Sequence, residues 1–172
     1  MRRVSRGDRD AFAAIAATHG PAIERFALRL LVQRQRAEEV LQETLMKAWR
    51  EAARYDPEKA RLSTWLHQIA HNLCIDILRR QRREQPLTEN AETIIGSEDS
   101  PESLVHTQET QRQLTSAVNA LSQRHRTALI LTYYQSLPNR DVAQIMGISV
   151  RALESLLVRA RRELKTILEE SI

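Results

Sequence analysis

A chain of 172 residues carrying a formal charge of +4 has room for one ordinary domain or two small ones. Its 4 glycines and 4% aromatics, beside abundant Ala, Leu, Arg, Glu and Gln, favour helix over sheet. One cysteine, Cys74, excludes an internal disulfide and fits a reducing compartment, and no apolar run approaches the ~18 residues of a membrane span.

From Asp8 to Arg54, apolar residues recur at spacings of three and four, the signature of amphipathic helices. Gly20-Pro21 is expected to separate a first short helix from a second. Over Glu38 to Ala53, the residues Leu41, Leu45, Ala48, Trp49 and Ala52 line one face, while Glu38, Glu39, Gln42 and Glu43 lie off it. Tyr55-Asp56-Pro57 breaks that helix, and Ser63 or Thr64 is placed to cap the next. There Trp65, Leu66, Ile69, Ala70, Leu73, Cys74, Ile77 and Leu78 form an apolar stripe that ends in Arg79-Arg80-Gln81-Arg82-Arg83.

Glu84 to His106 holds six acidic residues and no Lys or Arg, with two prolines and several Ser and Thr. Such a stretch buries little and reads as a linker. The rest of the chain carries 26 basic against 16 acidic residues, a charge of +10 that suits an anionic partner. Beyond the linker the periodicity gives helices over Leu104–Leu121, Ser122–Tyr134, Asn139–Met146 and Val150–Glu169, with a turn at Gly147-Ile148-Ser149. A short helix, a turn containing Gly and a longer basic helix make the helix-turn-helix arrangement.

In the last helix Val150, Leu153, Leu157, Ala160, Leu164 and Ile167 are expected to pack inward. Arg151, Glu154, Ser155, Val158, Arg159 and Arg162 fall on the other side, as a recognition helix in the major groove requires. The bland alternative is the solvated polar face of any surface helix. The arginines at 79–83 would likewise serve helix capping, but four in five residues exceed that need and suit phosphate oxygens. His67 and His71 stand one helical turn apart, a spacing used by zinc hydrolases. Gln68 sits where the general-base glutamate belongs and no third ligand is evident, so no metal is expected. Trp49, Trp65 and Cys74 read as core. No phosphate loop, nucleophile elbow or acid/base pair points to an enzyme or a cofactor.

Together these segments resemble the extracytoplasmic-function sigma factors over nearly the whole chain. Gly7-Asp8 with Ala11-Phe12 resembles the family's opening. Ala37-Glu38-Glu39-Val40-Leu41-Gln42-Glu43-Thr44 resembles its second conserved region, which docks on the clamp helices of RNA polymerase. The string from Ser63 through Asn72, then Asp76 and Leu78-Arg79-Arg80, resembles the segment that melts and reads the minus-ten element. Asp141 through Ser149, continuing to Arg161, resembles the fourth region, which reads the minus-thirty-five element.

The resemblance implies polymerase contact by Glu38, Glu39, Gln42 and Glu43. It implies minus-ten contact by Thr64, Trp65, His71, Asn72, Asp76, Arg79, Arg80, Arg82 and Arg83. It implies minus-thirty-five contact by Arg151, Glu154, Ser155, Val158, Arg159 and Arg162. Departures are Leu45 and Leu62, where the family often has Phe, Asp141 for Glu, and Ala152-Leu153-Glu154-Ser155-Leu156 for a commoner Thr-Val-Lys-Ser-Arg.

The expected architecture is therefore all-α and two-domain. Residues 1–83 form a polymerase and minus-ten domain, 84–106 an acidic linker, and 107–172 the helix-turn-helix domain. The expected partners are core RNA polymerase, promoter DNA and a sequestering anti-sigma factor, in the cytoplasm. No signal peptide is expected behind Met1-Arg2-Arg3-Val4. The resemblance also suggests that the linker lies in the polymerase channel that later carries RNA. A helix-turn-helix regulator that does not bind polymerase is the alternative, and a helical interaction protein without DNA binding a third.

Overall fold

The computed structural model describes residues 1–84 and 105–170, with side chains from 112 onward in the second stretch. Among these the regular structure is helical. The expected linker 84–106 falls almost wholly outside the described residues.

Helix α1 (Arg9–Leu31) starts at Asp8, whose side chain accepts from the Ala11 N–H at 2.9 Å and from Arg3 Nε at 2.7 Å. The Ala11 bond first, and then Arg3, hold the Asp8 carboxyl below its ordinary range. The helix runs unbroken through Gly20-Pro21, contrary to the expected division there. An interior proline removes one backbone bond and costs about 3 kcal/mol. Burial of Ile23, Phe26, Ala27 and Leu30 on the following turns outweighs that cost. Gly20 is itself buried, and a Cβ there would already touch Leu41 Cδ1 at 3.7 Å. The residue that reads as a breaker is thus where α1 closes on its neighbour.

Helix α2 (Arg34–Arg50) buries Ala37, Val40, Thr44 and Ala48. Of the expected stripe, Ala48 and Ala52 are buried while Leu41, Leu45 and Trp49 are half-buried, and the enclosed Val40 and Thr44 stand one position before Leu41 and Leu45. A 3-10 turn, Ala52–Arg54, leads into the Tyr55-Asp56-Pro57 loop, held by Tyr55 Oη donating to the Ala60 carbonyl at 3.1 Å.

Helix α3 (Leu62–Glu84) begins earlier than Ser63 or Thr64 would place it. Arg61 supplies the first helical acceptor, to Trp65 N at 3.0 Å, so neither hydroxyl caps. Thr64 turns inward and the Ser63 carbonyl accepts from His67 Nδ1 at 2.8 Å.

In the second half, α4 (Val105–Ala120) precedes α5 (Gln123–Leu129), whose cap is Ser122. The expected single helix over Ser122–Tyr134 holds, but its last turn, Ile130–Tyr134, widens to π geometry. Helix α6 (Asn139–Met146) ends on Gly147 at φ 64°, where a side chain would be strained. The Gly147 N–H bonds Gln144 O at 3.2 Å and the Ile148 N–H bonds Ala143 O at 3.0 Å, the paired closure of a Schellman turn. Ser149 then caps α7 (Val150–Glu170) by accepting from Ala152 N at 3.1 Å. His125 Nδ1 donates to Glu163, tying α5 to α7.

α1, α2 and α3 pack on one another, and α4 through α7 form the other half. The halves also meet: α6 lies on α3 and the π turn on α1, so one apolar cluster runs from Phe26 and Leu66 to Ile145 and Leu153.

Candidate polymerase and nucleic-acid interfaces

Three exposed polar faces emerge. On α2, Glu38, Glu39 and Gln42 point to solvent and Glu43 is half-buried. Their carboxylates pair with neighbours: Arg34 with Glu38 at 3.2 Å, Arg36 with Glu39 at 2.9 Å and Arg50 with Glu43 at 3.1 Å. Exposed pairs of this kind contribute about 0–1 kcal/mol, so a partner can displace them easily. Met46, 52% exposed, lies one turn beyond Gln42 and Glu43 on this face. Sequence reasoning passed over it; its signal was an apolar residue standing off the buried stripe.

On α3, Asn72, Asp76, Arg79, Arg80, Arg82 and Arg83 are exposed, and Arg79 reaches Asp76 at 3.8 Å. Three of the expected contact residues are less exposed than these. Thr64 is fully buried, with Oγ1 lacking a hydrogen-bond partner among the described residues. Trp65 is half-buried with its ring tilted on Tyr55 at 5.3 Å, leaving part of the indole outward. His71 is mostly covered, and burial lowers its imidazole below the ordinary value, with the Asn72 side chain acting in the opposite sense.

His67, the other member of the histidine pair, is 3% exposed and edge-on to Phe26 at 5.7 Å. Burial lowers its imidazole below the ordinary value, against the raising effect of Ser63 and Gln135. Because a carbonyl only accepts, Nδ1 carries the proton. Among the described residues no three His, Cys, Asp or Glu side chains gather as a metal site would require. Cys74 is enclosed and burial raises its thiol to about 12, so the thiolate that reacts or binds metal is not formed near neutral pH.

On α7, Leu153, Leu157 and Ala160 are buried while Leu164 and Ile167 are half-buried, as the spacing implied. Val150 differs: it is 40% exposed at the first helical position, where the chain has not yet reached the core. Arg151, Glu154, Ser155, Val158, Arg159 and Arg162 share the outer face and are all exposed. Ser155 donates back to the Arg151 carbonyl at 3.0 Å, which leaves its lone pairs available. The Glu154 carboxylate makes no ion pair with Arg151 or Arg161 among the described residues, and Arg161 Nε turns to the Leu157 carbonyl at 3.4 Å. Among the described residues no helix is long and apolar enough to cross a membrane.

A helix-turn-helix half, joined to a helical half with an acidic face and an arginine-rich helix end, defines a promoter-reading subunit of the sigma class. The profile of Sigma-70 region 2 matches residues 15–84 and that of Sigma-70 region 4 matches residues 111–164. The chain is 32% identical to the ECF RNA polymerase sigma factor SigM of Bacillus subtilis, across 87% of this chain and 90% of that one. It superposes with a TM-score of 0.75 on the sigma factor RpoE of Bartonella quintana, solved in complex with the anti-sigma factor NepR. That likeness covers 92% of this chain and 97% of the other at 26% identity. CnrH, solved with the cytosolic domain of CnrY, shares the fold at a TM-score of 0.75 and 22% identity, over 99% and 96% of the two chains. The chain belongs to the extracytoplasmic-function sigma factors, a family that is not generally enzymatic.

Proposed function

We propose that this protein binds core RNA polymerase in the cytoplasm and carries it to promoters, using three faces for three tasks. The observation that carries this reading is the exposure of an acidic α2 face together with two arginine-bearing faces on separate halves of the chain. Glu38, Glu39, Gln42 and Glu43, joined by Met46, would meet polymerase. Asn72, Asp76, Arg79, Arg80, Arg82 and Arg83, with the outer edges of Trp65 and His71, would hold the melted minus-ten strand. An amide such as Asn72 both donates to and accepts from a base edge, and arginines grip phosphates in fork geometry.

The exposed α7 residues would read the minus-thirty-five element in the major groove. Residues 1–83 and 107–172 then act as two reading domains on either side of an acidic connection at 84–106. No covalent step is needed: tighter binding to the open strand than to duplex offsets the unstacking cost, a shift of population. An anti-sigma factor would sequester the chain by covering these faces, as the complexes of the similar sigma factors suggest.

The reading is tested by mixing the chain with core polymerase on promoter libraries. Stable association with initiation at sites sharing one upstream motif is expected. DNA binding without polymerase association would instead indicate a free-standing helix-turn-helix regulator.

A further inference from the structure

The outer face of α7 is not uniformly polar. Val158 stands on it 42% exposed, one turn beyond the exposed Glu154 and Ser155. Val150, 40% exposed, owes its exposure to the first helical position, where the chain has not yet reached the core. That account does not serve Val158, which lies in mid-helix between the buried Leu157 and Ala160. A β-branched residue is also a poorer helix former than Ala, so helix formation gives no reason for a valine in that place. A single exposed valine is ordinary on a protein surface. What marks this one is its neighbour.

Residues 154 and 158 are four apart on one helix, so their Cβ atoms lie about 5–6 Å from one another. A helical side chain leans over the turn that precedes it, which brings the isopropyl group of Val158 alongside the Glu154 stem. The Glu154 carboxylate makes no ion pair with Arg151 or Arg161 among the described residues, so neither holds it away. An acceptor and an apolar surface therefore stand side by side on the face that carries Arg151, Ser155 and Arg159. In the major groove an acceptor matches cytosine N4, and an apolar surface matches the C5 methyl of a pyrimidine. Plain cytosine offers only the first. Thymine offers only the second, and its O4 repels a carboxylate. Two arrangements offer both: a cytosine methylated at C5, and a cytosine with thymine at the next step.

We propose that Glu154 and Val158 form a two-point reader of a methyl-bearing pyrimidine edge, Glu154 accepting from a cytosine N4 amino group and Val158 covering a C5 methyl beside it. This rests on the functional reading above, in which α7 enters the major groove of the minus-thirty-five element. Val158 suits the task because its branched side chain is stiff at χ1, so the contact has little freedom left to remove. A carboxylate among phosphates meets repulsion. The methyl contact offsets it, both by burying apolar surface and by excluding water from the bond to N4. Promoter affinity then depends on one methyl group in the groove. Where that methyl belongs to cytosine, methylation of the DNA strengthens binding.

The test uses the full chain with core polymerase and the minus-thirty-five duplex that a binding selection returns for the wild type. In one arm each cytosine of the element is replaced in turn by 5-methylcytosine, and in the other each thymine by deoxyuridine. One of these changes should alter affinity about three- to fivefold, upward on gaining the methyl or downward on losing it. It should fall on or beside the cytosine whose preference Glu154→Ala removes. Val158→Ala should abolish the response, and Val158→Thr, of equal size but with a hydroxyl in place of one methyl, should reduce it. A response to 5-methylcytosine assigns the methyl to cytosine, and a response to deoxyuridine assigns it to thymine. Affinity indifferent to every methyl would overturn the reader, as would a response that Val158→Ala leaves in place or one remote from the cytosine that Glu154 reads. A wild type that selects no preferred duplex would overturn the minus-thirty-five reading itself, and the reader with it.

Discussion

Gln144 donates a hydrogen bond to the carbonyl of Lys59, 3.2 Å away and 85 positions earlier in the chain. A glutamine of the first helix-turn-helix helix is thereby spent on the loop that introduces α3. It couples the two halves through a backbone group that any residue at 59 would present. The consequences of such placements can be checked face by face.

On α2, Glu39→Arg with Glu43→Arg should weaken core-polymerase binding at least tenfold by reversing the charge of the docking face. Both carboxylates lie outside the buried stripe, and each surrenders only one surface ion pair. Stability should therefore change by no more than about 1 kcal/mol. Core affinity beside a denaturation curve measures both, and an unchanged affinity removes the docking role from this face.

On α3, Asn72→Ala should lower initiation at a cognate promoter and alter minus-ten preference. The side chain is exposed, so stability should stay within about 0.5 kcal/mol of wild type. Its neighbour His71 feels the Asn72 amide, which gives the rival outcome a mechanism. A collapse of thermal stability would show that Asn72 is there to orient His71.

The turn into α7 depends on Ser149, whose hydroxyl accepts from Ala152 N. Ser149→Ala should cost about 1 kcal/mol of stability and weaken minus-thirty-five binding by loosening the first turn of the reading helix. Ser149→Asp should restore stability, because a carboxylate also caps. Equal stability of all three forms would mean the cap contributes nothing here.

His67 gives the fold a pH dependence whose sign is determined by burial. Its imidazole titrates lower in the folded chain than when exposed, and His19 and His71 are shifted the same way by burial. The groups facing His67 are the Ser63 carbonyl, the Phe26 ring, Gln135 and His19. The folded form therefore binds fewer protons than the unfolded one. Stability is fully present above the unfolded value of about 6.5 and is lost as pH falls through the folded values. Denaturant midpoints measured from pH 7.5 to 5 should fall, and His67→Gln should flatten the slope. A midpoint that rises on acidification would contradict the buried neutral imidazole.

Much of this was legible in the sequence, for reasons that differ between elements. The boundaries of α6 and α7 followed from Gly147 and Ser149, because a left-handed turn and a cap each demand particular residue types. The outer face of α7 followed from helical period alone. Gly20-Pro21 misled, because local punctuation was overruled by Ile23 and Phe26 packing one turn on. The enclosure of Thr64 was not legible, since a hydroxyl can be enclosed when neighbouring apolar residues bury the turn. Nor was the seam between the two halves legible. Its contacts join Lys59 to Gln144 and Arg29 to Tyr134, long-range pairs with no local periodicity to announce them.

The recognition helix carries this chain's own preference. An arginine suits guanine O6 and N7, so Arg159→Ala should cost about 1–3 kcal/mol on the cognate site and relax one base position. Glu154, exposed and without an ion pair to Arg151 or Arg161 among the described residues, can accept from cytosine N4. Glu154→Ala should weaken that one preference while raising affinity for unrelated DNA. A binding selection over randomised minus-thirty-five sequences that returns the same motif for both proteins would show that Glu154 reads no base.

The most direct measurement is transcription by core polymerase, reconstituted with this chain on a genomic library and with 5′ ends mapped. The account predicts that adding the chain creates a defined set of start sites, each preceded by the same two elements about 25 base pairs apart. Glu39→Arg with Glu43→Arg should abolish the whole set, while Arg159→Ala should thin it by upstream sequence. Start sites identical with and without the chain would contradict the account.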